Sequence, residues 1–336
     1  MPHLVPLVET LRGGTRENLH FGALAVVDAD GGVLAQAGDP YWLTFTRSTL
    51  KPLQVLPFVH GGGLQHFGLD ASHLALMCAS HSGEAMHVQQ VEQILGKAGV
   101  GTRQLQCGCH VPYYADVGGW PPPAPGSYDE RHHNCSGKHA GFLAYCVQHD
   151  MPLATYLDPA HALQQAIRVA VAETAGLQAH QLVMGIDGCS APNYAMPLAL
   201  LATGFARLAS GARVPHYGES YEAIAHAMTT HPELVSGTGR SDLAFMQAGG
   251  GDWVTKIGAE GVQVVASRSR GEALAIKIAD GNKLALHAAT VEALEQLGWL
   301  DDAQRAALRP WRYEVIASVK GAPVGARKPV FRIATP

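Results

Sequence analysis

Four clusters of side chains along the chain have types and spacings that suit chemistry. The first is Arg47-Ser48-Thr49-Leu50-Lys51-Pro52, with a hydroxyl and an amine three residues apart. On a helix these two positions share a face, so the amine can reach the hydroxyl. A serine attacks poorly until a base takes its proton, and a neutral lysine can be that base. With an ordinary pKa of about 10.4, roughly one lysine in 2,000 is neutral at pH 7. Burial and nearby cations must lower that pKa by ~3 units, about 4 kcal/mol of differential interaction. An ordinary surface helix start has the same spacing.

The second cluster, Ala79-Ser80-His81-Ser82-Gly83-Glu84, combines hydroxyls, an imidazole and a glycine ahead of a helix. Such a turn can present Ser80 at its tip and offer backbone N–H groups to an oxyanion. A plain N-cap by Ser80 or Ser82 reads much the same. The third is Asn134-Cys135-Ser136-Gly137-Lys138-His139, answered later by Asp187-Gly188-Cys189. Two thiolates from separate loops plus a third donor can hold zinc and leave a position for water. His139 is the conventional third ligand, because Lys138 must be neutral to donate a lone pair. Two buried free cysteines are the bland alternative. Cys107-Gly108-Cys109-His110 lacks distant partners and reads as structural. The fourth pairs Lys256, on a strand before Gly258-Ala259-Glu260-Gly261, with Ser236-Gly237-Thr238-Gly239-Arg240. Arg240 can clamp a carboxylate bidentately.

These residues need a scaffold. A hairpin is expected at 21–37, turning at Asp28–Gly32. A helix is expected from near Ser48 toward Val59, stopped by Gly61-Gly62-Gly63. Further helices are expected at 84–97, at 137–148, from an Asp158-Pro159 cap to Gly176, at 196–209, 218–230, 242–248, 284–297 and 302–308. Leu182–Ile186 reads as a strand emptying into Asp187, and Trp253–Ile257, Val262–Ser267 and Ala273–Ala279 as three more, with a strand-like tail. The proline-rich stretch 118–127 reads as a semi-rigid linker or lid. Strands toward both ends with helices between them predict an α+β fold. No alternating βαβ series or glycine-rich phosphate turn is present.

Composition bounds the function. At 336 residues, with 15% charged and 47% apolar, the chain suits one two-lobed catalytic domain over 1–336. That unit has a mixed sheet lobe built from both termini and a helical lobe in the middle. The formal charge of −4 leaves no footprint for nucleic acid or an anionic membrane. No apolar run is long enough to span a bilayer. Met1–Leu11 has no secretory pattern, so a cytoplasmic location and reduced thiols are expected for the six cysteines.

In their order along the chain, the motifs at 47–52, 79–84, 134–139, 187–189, 236–240 and 256–261 resemble those of the rhizobial-type, or class 3, L-asparaginases. The match runs over roughly residues 8 to 330. The resemblance implies a fold similar to serine β-lactamases and bacterial glutaminases, an antiparallel sheet flanked by helices beside a helical lobe. It also implies a homodimer. It implies two Ser-Lys pairs, Ser48 with Lys51 and Ser80 with Lys256. A zinc ion on Cys135, Lys138 and Cys189, completed by water, would aid substrate positioning rather than generate the nucleophile. Asp187 and His139 would line the same pocket.

On this basis Ser48, deprotonated by Lys51, is expected to attack the side-chain amide of L-asparagine, with Ser80 and Lys256 relaying protons. Either serine can carry the acyl group, since each has a lysine. Arg47 or Arg240 is expected to grip the α-carboxylate and Asp187 the α-ammonium. The alternatives are another Ser-Lys amidohydrolase (a glutaminase or β-lactamase-like enzyme) and a non-catalytic zinc-binding protein.

Overall fold

The computed structural model describes residues 2–335. In chain order its strands begin with β1 (Val5–Arg12), β2 (Thr15–Asp28), β3 (Val33–Ala37) and β4 (Leu43–Phe45). After a helical stretch come β5 (Val183–Ile186) and β6 (Pro192–Pro197). The last are β7 (Trp253–Gly258), β8 (Val262–Ser267), β9 (Glu272–Ile278), β10 (Glu314–Ala317) and β11 (Pro323–Pro329). One sheet runs in the order β10, β11, β1, β2, β9, β8, β7, with β3 also on β2. Its neighbours pair antiparallel. A small second sheet has the order β4, β6, β5. The architecture is α+β, an antiparallel sheet drawn from both ends of the chain with helices between and around it.

Side-chain alternation along the strands builds two cores. Ala23, Ala25 and Val27 of β2, with Ala273 and Ala275 of β9, face a core that includes the helix Leu198–Ser210. Leu24 and Val26, with Leu274, Ile276 and Ile278, face a second core that includes the helix Lys283–Gln296. Successive residues of a strand point to opposite faces, so a sheet covered on both sides reads as a continuous apolar run. This explains why β7, β8 and most of β9 are buried throughout.

Several elements depart from the sequence reading. β2 is far longer than its expected apolar run, because its polar first half pairs with β1. β1, β4 and β6 carry no local signal strong enough to have been assigned. The segment 47–60 is not one helix. It is a 3-10 turn, Arg47–Leu50, then the short helices Lys51–Gln54 and Leu56–His60. Pro52 and Pro57 each sit in a first turn, where the missing N–H costs nothing. The helix expected from Asp158-Pro159 begins at Ala162, capped by His161. Asp158 instead accepts from Ala160 N at 2.8 Å and closes a turn. The stretch after 112 opens with a short helix, Tyr113–Gly118, before the proline-rich loop.

Candidate active site

The helix Ala71–Met77 ends against a tight loop that carries Ser80. Neither Ser80 nor Ser82 caps the next helix, Ala85–Lys97; Glu84 does, in a capping box with His87. The Ser80 N–H donates to Val235 O, and those of Gly83 and Glu84 donate to the Nδ1 atoms of His81 and His87. These three backbone donors are therefore engaged and not free to form an oxyanion hole, and neither alternative offered by the sequence describes this loop. His81, fully buried, hydrogen-bonds Ser136 Oγ through Nε2 at 2.8 Å and ties the loop to the helix Ser136–Gln148. Gly137 is required there, because a Cβ would lie 2.3 Å from Leu76 O.

Ser80 Oγ meets two amines. Lys51 Nζ lies 3.0 Å away and Lys256 Nζ 2.9 Å away, both on buried side chains. Lys51 comes from the first turn after Ser48, and its amine also donates to Ala79 O at 2.6 Å and Asn134 O at 3.1 Å. Lys256 shares its face of β7 with Val254, which belongs to the core on the helical side. Strand parity thus aims it at the Ser80 loop. Burial lowers the Lys256 pKa to about 8; Asp242 opposes that shift and the charge of Lys51 adds to it. A hydroxyl has one proton to give. Of two amines on one hydroxyl, a neutral one can accept that proton while a charged one donates.

Ser48 does not pair with Lys51 in this arrangement, and its hydroxyl has no hydrogen bond among the described residues. It stands on the wall shared by two connecting cavities. One, about 250 Å³, is lined by Ser48, Ser80, Tyr113, Asp116, Arg240 and Lys283 among others. The larger, about 610 Å³, adds Arg47, Cys109, Cys135, Asp187 and Cys189. Arg47 and Asp187 pair with each other, Nε to Oδ1 at 2.9 Å. Arg240 has no carboxylate within ion-pair distance among the described residues. It packs 5.4 Å over the Tyr113 ring and reaches Ser82 Oγ at 3.5 Å, and burial pushes its pKa down. A half-buried guanidinium with no carboxylate in ion-pair contact is suited to receive one.

Behind the larger cavity, Lys138 Nζ lies 3.1 Å from Cys189 Sγ, and the Cys135 thiol donates to Asn134 Oδ1 at 3.6 Å. The two sulfurs perturb each other, pushing the Cys189 pKa down and the Cys135 pKa up, and the Lys138 amine adds to the first shift. Burial disfavours the Lys138 charge, but the two sulfurs hold its pKa above the ordinary lysine range. Tyr156 Oη accepts from Gln106 N at 2.8 Å, so its proton goes to His139 Nδ1 at 2.7 Å. That places the imidazole proton on Nε2, a buried atom with no hydrogen-bond partner. His139 therefore stands near Cys189 with an unpaired Nε2–H and is not placed as a third ligand. No three His, Cys, Asp or Glu side chains form a metal cluster among the described residues. The two thiols are donors of the kind zinc takes, and the Lys138 amine would join them once deprotonated.

A family model described as L-asparaginase II matches residues 8–329. The chain belongs to the L-asparaginase II family. No curated protein matches it. Among solved structures, a β-lactamase from Mycobacterium bovis is 18% identical and aligns over 82% of this chain and 94% of its own, at a TM-score of 0.45. A likeness that distant decides nothing about chemistry.

In this L-asparaginase II family chain, the fold gathers Ser48, Lys51, Ser80, Lys256, Arg47, Asp187 and Arg240 around connected cavities. His139 lines neither cavity and stands behind Cys189 instead. Cys107 and Cys109, read as structural, lie on the wall of the larger cavity. Asn193 and Asp242, which hold Arg47 and Lys256, escaped the sequence reading. Both are single polar residues inside otherwise ordinary segments. Asp242 follows Arg240 by two positions, the one local hint available.

Proposed function

We propose that this chain hydrolyses L-asparagine to L-aspartate and ammonia through a lysine-activated serine. The family match supports the amide-hydrolase class. The observation that carries the mechanism is the pair of amines on Ser80 Oγ. In this reading Ser80 Oγ bonds to the side-chain carboxamide carbon as its proton passes to neutral Lys256. The tetrahedral adduct collapses, the C–N bond breaks, and Lys256 returns the proton to the leaving nitrogen as ammonia departs. Water then attacks the β-aspartyl ester, giving its proton to Lys256, and the ester C–O bond breaks with that proton restored to Ser80. Lys51 holds its amine beside the oxygen from the other side. Arg240 receives the α-carboxylate, and the Arg47–Asp187 pair shapes the wall of the cleft where the α-ammonium lies.

A second reading has a specific observation behind it. Ser48 is the more exposed hydroxyl and lines both cavities, so it can attack while Ser80 passes its proton to Lys256. Ammonia release from asparagine and glutamine by wild type, Ser48→Ala and Ser80→Ala, with mass spectrometry of the trapped acyl-enzyme, separates the two. Failure to release ammonia from either amide with folded protein would overturn the asparaginase reading.

Cys135, Lys138 and Cys189 are the residues that would hold a zinc ion, with the His139 ring behind them. When bound, the ion would supply positive charge at the cavity wall for substrate positioning. The chain is further proposed to act as one two-lobed catalytic unit and as a homodimer. Leu43 and Phe45 on β4, with Val183 on β5, leave an exposed apolar face for a second copy. No helix among the described residues is long and apolar enough to cross a membrane.

A further inference from the structure

Asp242 is the second residue of the helix Ser241–Ala248, and its side chain has no exposure. One carboxylate oxygen accepts from Ile257 N at 3.0 Å and lies 3.4 Å from Lys256 Nζ. The other accepts from Gln263 Nε2 and Thr255 Oγ1, each at 3.1 Å. A buried carboxylate is costly unless paired and fully hydrogen-bonded, and removing its charged partner leaves an uncompensated ion. Every acceptor position here is used, and Asp242 is the one carboxylate within ion-pair distance of Lys256 among the described residues.

We propose that Asp242 is a positioning residue, the buried anchor that holds the Lys256 amine against Ser80 Oγ. This role rests on the Ser80–Lys256 reading above. Lys256 has three neighbours for its amine: Ser80 Oγ at 2.9 Å, Ile257 O at 3.1 Å and the Asp242 carboxylate. The charges that reach it from other elements are Lys51, across Ser80, and Arg240, at the start of the Asp242 helix. Both repel an ammonium. Cys78 lies nearby but is uncharged, its thiol pushed up to about 12 by burial. Without Asp242, two cations and a buried site would push the amine off the hydroxyl and leave it a weak base. With Asp242, the amine stays in contact and retains a pKa of about 8. A general base works best with a pKa near the working pH.

The test is kcat/KM for ammonia release against pH in wild type, Lys256→Ala and Asp242→Asn. If Lys256→Ala keeps wild-type activity, the Ser80–Lys256 reading falls and takes this proposal with it. If Lys256→Ala is inactive, Asp242→Asn decides the proposal alone. The expected result is a plateau lowered at least tenfold, with the acid limb moved to lower pH by one unit or more. A lowered plateau with an unmoved limb would mean a merely structural residue and overturn the proposal. Should Asp242→Asn not fold, Asp242→Glu is measured instead. With the charge kept, the limb is expected to stay at its wild-type pH while kcat falls; a limb displaced downward by a unit overturns the proposal.

Discussion

Asn193 grips both backbone polar groups of Arg47: its Oδ1 accepts from Arg47 N at 3.0 Å, and its Nδ2 donates to Arg47 O at 3.0 Å. Arg47 has φ of 50°, in the left-handed region that side chains other than glycine's rarely adopt. The side-chain amide stands in for the strand partner this residue lacks, and β6, which carries Asn193, pairs with β4 just before it. The strain is held one residue before Ser48, where it sets the direction of that hydroxyl.

Replacing Asn193 with alanine is therefore expected to cost about 1–3 kcal/mol of stability, from two lost bonds that leave Arg47 N and O without partners. It is also expected to lower kcat/KM at least tenfold. Thermal melts beside steady-state kinetics check both; normal kinetics in a destabilised variant would show that Arg47 geometry is irrelevant to turnover.

The pH profile should report Lys256. Its pKa is lowered from the ordinary lysine value to about 8, so the base is charged and idle below that pH. Activity is expected to rise through pH 8 to a plateau, falling about tenfold per unit on the acid side. Lys256→Arg, which cannot deprotonate, should be inactive across the range. A flat profile between pH 6 and 9 would argue for a different base.

Arg240 is placed to bind rather than to react. Arg240→Met should raise KM for asparagine by about 10–100-fold, the worth of a charge-assisted contact, with kcat changed far less. An unchanged KM would remove Arg240 from the carboxylate site.

Zinc should bind at one equivalent per chain, checked by metal analysis of protein purified without chelator. Stripping it with a chelator is expected to lower the melting temperature and to make Cys135 and Cys189 more reactive toward a thiol reagent. Cys189→Ser should abolish stoichiometric binding; retention of a full equivalent in that variant would place the metal elsewhere.

Tyr156 tests the role given to His139. Tyr156→Phe leaves Gln106 N and His139 Nδ1 without their partner, an expected loss of about 1–3 kcal/mol. Zinc affinity should weaken as well, since His139 loses the bond that fixes its tautomer. Calorimetric titration of the folded variant measures the second effect.

Local chemistry made much of this protein readable from its residues alone. The apolar runs of β7, β8 and β9 and the turn at Gly258–Gly261 each follow from a few neighbouring side chains. The reactive groups were readable too, because serine, lysine and cysteine in short motifs are visible without a fold. What the residues could not determine was partnership. A three-residue spacing predicted that Lys51 would meet Ser48, but Lys51 starts a new helical turn and bends instead to Ser80, 29 residues away. Lys256 reaches the same oxygen from 176 residues away. Asp242, Asn193 and Tyr156 gain their roles only by burial against those groups. Sequence spacing governs contacts within one element; contacts between elements depend on how the sheet parity and the helical lobe pack, which no local pattern encodes.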